Sequence, residues 1–509
     1  MTGSRFDYVV VGGGTAGAVV AARLAEDPEV TVCLLEAGPS DEGVREVLEL
    51  RGWQGLLGSE EYGYDFEIEA QPQGNGDILH SRGTMLGGSS SHNSAIAFRP
   101  LDGDLRRWEE AGAAGWGPEG LGSYFEKVSR KVNMESSGAG NATVRAFIEA
   151  GKEAGFPEIS FAEGVREGTG LFQLNKKGGL RQSSSVAYLH PLSGMPENLT
   201  VLTGARARRL LFEGGRAVGV ETSRGTVRAG EEVVLCCGAF DSPKLLLLSG
   251  VGPAEQLQGL GLPVVADLPG VGENLLDHPE GVVMWESSRP VPEATSNFYE
   301  AGMFARVDPG ADDPALMFHF GTQAFDLHTL PKGYPTAENA FSITPNVTRA
   351  RSRGTVRLRS ADHTVPPRID FRYFTDPDGY DERIMTEGVN LARELAAQPA
   401  LSEWVERELA PGAGVKGYRE VSEYVRRTAN TVYHPAGTCK MGSSEDHGSV
   451  VDPSLRVRGI EGLRVADASV FPVMISVNPC ITCMMVGEKC ADLIRGRAPA
   501  GASHGTSEA

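Results

Sequence analysis

The chain has no excess of basic charge, no long apolar run and few cysteines, and each absence removes a class of protein. Its 48 Lys and Arg stand against 67 Asp and Glu, a formal net charge of −19. A nucleic-acid-binding surface needs a basic patch, so no nucleic-acid partner is expected. A cationic small molecule is compatible with that sign, as with many acidic proteins. The most apolar run, Leu245-Leu246-Leu247-Leu248, lies between Lys244 and Ser249 and is too short to cross a bilayer. The seven cysteines are odd in number and scattered, which suits a reducing compartment better than a disulfide framework. Only Met1 to Asp7 precede the apolar stretch Tyr8-Val9-Val10-Val11, which leaves no secretion signal in view. A cytoplasmic protein with no membrane attachment is expected.

What is present is ordinary for a soluble globular chain: 40% hydrophobic and 23% charged residues. A length of 509 residues exceeds one simple core and predicts two intimately joined domains. The N-terminus reads as a short buried strand over 8–11, a helix over 16–25 and a second strand over 30–35. Such a unit opens a dinucleotide-binding fold. Short strands follow at 199–202, 207–212, 217–222 and 226–229, separated by Gly-rich turns, then a strand at 232–236 and a helix from about Ser242. From about 285 to 425 the pattern mixes strands, such as 355–358, with helices, such as 380–397, and holds no second phosphate loop. That stretch reads as most of a substrate-facing domain. The chain returns through Leu463-Arg464-Val465 and a helix over 481–494, and 498–509 reads as a disordered tail.

Gly12-Gly13-Gly14-Thr15-Ala16-Gly17 places Gly12, Gly14 and Gly17 as a GxGxxG between strand and helix. Glycines let the backbone approach a pyrophosphate at the positive end of the helix. Glu36 closes the second strand, where a carboxylate hydrogen-bonds a ribose. The hexapeptide alone is weak, but with both strands and Glu36 in place it predicts dinucleotide binding. It does not choose between NAD and FAD.

Four further blocks supply that choice. Arg82-Gly83-Thr84-Met85-Leu86-Gly87-Gly88-Ser89-Ser90-Ser91 is the first, and Gly238-Ala239-Phe240-Asp241-Ser242-Pro243 with Ser249-Gly250-Val251-Gly252 the second. His434-Pro435 with Gly437-Thr438 follows, and then Ala466-Asp467-Ala468-Ser469 with Asn478-Pro479. In this order, over nearly the whole chain, they resemble the signatures of glucose–methanol–choline oxidoreductases, and within that family those of choline oxidases. The resemblance implies an α/β fold (α+β overall), with a discontinuous Rossmann-like FAD-binding domain at 1–140, 195–285 and 430–497. A sheet-and-helix substrate domain at 141–194 and 286–429 completes it. FAD is then held by Gly12, Gly14, Gly17, Glu36, Gly87, Gly88, Asp467 and Pro479.

His92, in Ser90-Ser91-His92-Asn93-Ser94, would pass for a surface or core histidine without this context. By resemblance it bonds covalently to the flavin. His434 and Asn478 are the expected catalytic pair: histidine moves the hydroxyl proton near neutral pH, and asparagine orients the same oxygen without titrating. By resemblance Ser94 touches the substrate oxygen and Val432 shapes the place where dioxygen reacts.

Glu300 matches, by resemblance, the carboxylate directed at a trimethylammonium group; alone it would read as a solvated glutamate. A quaternary ammonium offers no conventional N–H donor and takes a negative charge with aromatic faces, here Phe298, Tyr299 and Tyr433. Choline oxidases carry tryptophan just before this glutamate, where this chain has Phe298 and Tyr299. Cys480 and Cys483 form a CxxC without further ligands and read as packing residues, with no metal expected. The implied activity is oxidation of an alcohol, choline by resemblance, with dioxygen as acceptor, in a chain that can pair as a homodimer. An oxidase for another alcohol, a dehydrogenase and a non-catalytic flavoprotein stay open.

Overall fold

The computed structural model describes residues 4–497 apart from 139, 193 and 195. The tail expected at 498–509 lies outside the described residues.

Two sheets carry the architecture. The first begins with the strand Ser4–Val11, whose Val9 and Val10 are wholly buried. A continuous branched run of this kind suits a parallel strand covered on both faces. It pairs in parallel with Val32–Leu35 on one side and Gly225–Leu235 on the other, and Val32–Leu35 pairs in parallel with Leu199–Leu202. The helix Gly17–Leu24 connects the first two strands and packs close to the opening turn: a Cβ on Gly17 would lie 1.9 Å from the Gly12 carbonyl oxygen. Only glycine permits that approach.

Gly225–Leu235 is one strand of 11 residues where two were expected. Its first half pairs antiparallel with Arg216–Thr222, and its second half pairs in parallel with Leu463–Val465. Ser4–Val11 accompanies both halves across a register shift between Phe6 and Tyr8, so the strand continues through the predicted break. The next helix, Gly238–Leu248, starts before the expected Ser242. Pro243 cannot donate to the Ala239 carbonyl one turn back, and Thr438 Oγ1 donates to that carbonyl instead, at 2.6 Å.

The second sheet is antiparallel, in the order Val405–Ala410, Val283–Ser287, Ala340–Val347, Leu316–Gly321, Tyr299–Ala305, Gly168–Leu171. The helices Tyr380–Ala397 and Ala142–Glu153 pack against it. A short strand, Pro279–Glu280, joins this sheet through Ala340–Val347 and also pairs with Asn430–Thr431. That small junction brings residues 278–280 beside 430–434. Ser185–Leu189 packs on the helix Gly17–Leu24 of the first sheet, and 279–287 already belongs to the second. The chain therefore crosses between its halves earlier than 195 and 285, the boundaries expected from sequence.

Candidate active site

Two cavities meet between the sheets and share Thr15, Arg82, Ser89, Pro435, Ala468 and Cys483 in their walls. The first lies along the glycine turn. Gly12, Gly14, Glu36, Gly88 and Asp467 line it. Glu36 accepts hydrogen bonds from the amides of Gly13 and Gly38, each at 2.8 Å. Burial still pushes its carboxyl up to about 7. Asp467 accepts from Gly238 N at 2.9 Å, Ser242 Oγ at 2.6 Å and Ser469 N at 2.7 Å, and so ties the turns around this cavity together. Gly17 and Gly87 are not in its wall. Gly87 instead donates its amide to the Gly13 carbonyl at 2.7 Å, which locks the two glycine turns face to face.

The second cavity gathers residues far apart in sequence. His92, Ser94, Val432, Tyr433, His434, Asn478 and Pro479, all singled out from the sequence, line it together. His278 reaches His434 from behind, the two Nδ1 atoms lying 2.9 Å apart. His278 Nε2 lies 2.8 Å from the Ile475 carbonyl oxygen and 3.0 Å from that of Thr348, so it carries the ring proton. Burial holds His278 down to about 4, so the ring is neutral and its Nδ1 must accept. His434 then donates from Nδ1, and its Nε2 carries the lone pair. Burial, followed by the neighbouring His278, depresses His434 well below the usual histidine range, which keeps this neutral form. Asn478 Nδ2 lies 3.3 Å from that Nε2, while Asn478 Oδ1 is buried with no protein partner. An unpartnered acceptor stands beside a base whose lone pair accepts from the asparagine amide alone.

Asp277 and its neighbours hold this pair in place. The His434 amide donates to Asp277 Oδ1 at 3.0 Å; Thr431 Oγ1 donates to Oδ2 at 2.5 Å, as does the Tyr373 hydroxyl. Tyr433 sits at φ 64°, a left-handed conformation costly for a tyrosine. Its amide donates to Thr431 Oγ1 at 2.7 Å, and its carbonyl accepts from Arg82 at 2.9 Å. Four hydrogen bonds around residues 431–434 thus maintain a turn that the backbone alone disfavours.

Glu300 is not brought to the cavity, a correction to the sequence reading. It is fully buried, and its Oε1 accepts from Thr295 Oγ1 and Ser296 N, each at 2.6 Å, and from Ser296 Oγ at 3.1 Å. The carboxylate in the cavity wall is Glu280, only 5% exposed, whose carboxyl burial pushes up to about 8. His319 Nδ1 lies 3.9 Å from Glu280 Oε1, and burial holds that imidazole down to about 3. Trp53, Tyr299, Phe325 and Tyr433 share the wall with Glu280, the Tyr299 ring standing 6.1 Å from Trp53 and 6.3 Å from Phe325. Phe298 is packed against the core outside this wall.

Glu280, His278, His319, Trp53 and Phe325 were not anticipated. One signal was available for the first two: Asp277-His278-Pro279-Glu280 concentrates three ionisable groups beside an apolar strand.

Residues 6–280 match the N-terminal model of the GMC oxidoreductases and 350–487 the C-terminal one. The chain belongs to the GMC oxidoreductase family. It is 50% identical to the choline oxidase of Arthrobacter globiformis, over 96% of this chain and 94% of that one. It is 36% identical to an oxygen-dependent choline dehydrogenase of Rhizobium etli, over 97% and 96%. Among solved structures it resembles pyridoxine 4-oxidase from Mesorbium loti, with TM-score 0.88 and 29% identity over 97% of this chain and 100% of that one. Formate oxidase of Aspergillus oryzae gives TM-score 0.88 at 26% identity, over 97% and 99%.

GMC oxidoreductases are FAD-dependent, and the cavities suit that group. The first is walled by a glycine turn at a helix N-terminus, by Glu36, and by Thr84, whose buried Oγ1 has no protein partner. It opens directly into the cavity that holds His434 and Asn478. Gly12, Gly14, Glu36 and Thr84 would hold the dinucleotide, and the adjoining cavity carries His434 and Asn478. No helix among the described residues is long and apolar enough to cross a membrane.

Proposed function

We propose that this chain is a choline oxidase, converting choline through betaine aldehyde to glycine betaine and releasing hydrogen peroxide. The observation that carries this reading is the second cavity, where a buried carboxylate and four aromatic rings share the wall with a neutral histidine base. A trimethylammonium group is held by charge and by aromatic faces, and Glu280 with Trp53, Tyr299, Phe325 and Tyr433 supplies both. We therefore transfer to Glu280 the anchoring role that sequence resemblance suggested for Glu300.

FAD, when bound, supplies the hydride acceptor and passes the electrons to dioxygen. The protein's own part is to bind, orient and move a proton. Glu280 holds the cationic end of the substrate, and the hydroxyl reaches the His434–Asn478 pair. His434 Nε2 takes the hydroxyl proton, and His278 shares the resulting charge through the Nδ1–Nδ1 hydrogen bond. Asn478 holds the oxygen, and Ser94 and Val432, in the same cavity wall, respectively contact it and shape the place where dioxygen reacts. Gly12, Gly14, Glu36, Gly88 and Asp467 would hold the dinucleotide, with Gly17 and Gly87 shaping the turns and Pro479 in the wall of the reacting end.

In the same reading His92 carries a covalent bond to the flavin. Its ring is buried in the cavity wall and held down to about 4, chiefly by burial. The neutral imidazole has the ring lone pair that such a bond would use. Acid-precipitated protein should stay yellow, and His92→Ala protein should release its colour to the supernatant. Colour lost from the wild type would sink the assignment. A cytoplasmic location and a homodimer belong to the same proposal.

Oxygen uptake by purified holoenzyme tests the whole reading, with choline compared against its uncharged isostere 3,3-dimethylbutanol. Rapid turnover of choline with peroxide release, and weak turnover of the isostere, is expected. Equal use of both would keep an alcohol oxidase and remove choline as its substrate.

A further inference from the structure

We propose that Glu300 is a positioning residue: it clips the 294–298 loop so that Asn297 ties Ser94 to Trp53 behind the wall of the substrate cavity. The proposal deepens the reading above, since it concerns how the choline site is held in shape.

The observations begin at the backbone. The strand Tyr299–Ala305 pairs with Leu316–Gly321 in regular antiparallel register except between Tyr299 and Ala301, where Glu300 is the extra residue. Such bulges occur beside active sites because they re-aim a neighbouring side chain. Here the neighbour is Tyr299, whose ring lines the cavity. The bulged residue is itself pinned: its carbonyl accepts from Phe172 N at 3.0 Å and Ser137 Oγ at 2.5 Å.

The side chain turns back on the preceding loop. Three donors from Thr295 and Ser296 converge on the single oxygen Oε1, while Oε2 is buried and unpartnered. Among the described residues no Lys, Arg or His is paired with Glu300. Its charge is therefore not what the site uses; its acceptor atom is. With Thr295 and Ser296 held, the next residue, Asn297, is fully buried and points two groups at the cavity wall. Its Nδ2 donates to the Ser94 carbonyl at 2.5 Å, and its own carbonyl accepts from Trp53 Nε1 at 3.1 Å. Ser94 stands where the substrate oxygen is handled and Trp53 where the ammonium is enclosed. One clipped loop thus sets the spacing between the two ends of the substrate site.

Steady-state oxygen uptake on flavin-loaded Glu300→Gln, Glu300→Ala, Asn297→Ala and the Glu300→Ala/Asn297→Ala double variant tests this, with choline and 3,3-dimethylbutanol. Glutamine keeps the acceptor, so Glu300→Gln should stay within about twofold of wild type and keep the wild-type preference for choline. Loss of a buried acceptor or donor should raise KM about tenfold for both alcohols in the Glu300→Ala and Asn297→Ala enzymes, with kcat changing less. Because both act through one loop, the double variant should be no worse than either single one.

A Glu300→Gln enzyme that loses its preference for choline would overturn the proposal, because Glu300 would then act through its charge. Additive effects in the double variant, or a Glu300→Ala enzyme indistinguishable from wild type, would overturn it too. If Glu300→Ala does not fold, Glu300→Gln and Asn297→Ala still decide. Failure of the choline assignment would show separately, as a wild-type enzyme with no preference between the alcohols, and the KM comparison then runs on 3,3-dimethylbutanol.

Discussion

His278 and His434 face each other through their Nδ1 atoms at 2.9 Å, and the proton on that contact belongs to His434. Two backbone carbonyls occupy the other nitrogen of His278, so no other assignment satisfies all four ring nitrogens. The cavity-facing nitrogen of His434 is thereby a base before any substrate arrives. Replacing His278 with alanine should lower kcat about tenfold to a hundredfold with little change in KM, since only proton handling is disturbed. A KM effect larger than the kcat effect, read from oxygen-uptake kinetics, would count against this tautomer.

The raised carboxyl of Glu280, at about 8, sets a pH dependence with a definite sign. Below that value the group is protonated and neutral; above it the group is ionised and can hold a cation. kcat/KM for choline should rise with pH and level off above about 8, while that for 3,3-dimethylbutanol should lack this limb. In Glu280→Gln the limb should disappear, and the preference for choline should fall about a hundredfold. The measurement is a pH profile for both alcohols on both proteins.

Gly88 sits at φ 51°, and a Cβ there would lie 2.7 Å from Gly14 Cα. Neither glycine turn has a flexible end that could yield. Gly88→Ala should purify with little flavin and lose about 1–3 kcal/mol of stability. The visible flavin absorbance per protein and the denaturant midpoint report the two effects separately.

Asp104 holds the loop that carries Asn478 from outside the cavity. It is fully buried, and it accepts from Ser476 N at 2.9 Å and Ser476 Oγ at 2.7 Å, with Arg107 as its ion-pair partner. Burial raises its carboxyl, and Arg107 acts in the opposite direction. Asp104→Asn should cost about 1–3 kcal/mol and lower kcat more than it raises KM. Denaturant unfolding alongside kinetics would expose a variant that is destabilised but catalytically unchanged.

Several features were legible because their chemistry is local. The glycine turn needs only a strand, tight backbone geometry and a helix, all within about twenty residues. Glu36 follows at a spacing set by those same elements. His92, Ser94, His434 and Asn478 stood in family blocks, and all four line the same cavity. Pro243 suggested a later helix start because the partner that relieves it, Thr438, lies far along the chain.

The two glutamates mark where such reading ends. Glu280 and Glu300 lie twenty positions apart, and both are buried at strand positions. Composition and periodicity treat them alike. Glu280 reaches the cavity because Pro279–Glu280 pairs with Asn430–Thr431 and Ala340–Val347, contacts made across more than sixty residues of chain. Glu300 misses it because a bulge turns its side chain toward its own loop. The amino-acid order was enough to single out the glycine turn and the His434–Asn478 pair, whose geometry is short-range or carried by motif. Which carboxylate lines the cavity was decided by strand register, because a shift of one residue sends a side chain to the opposite face of a sheet.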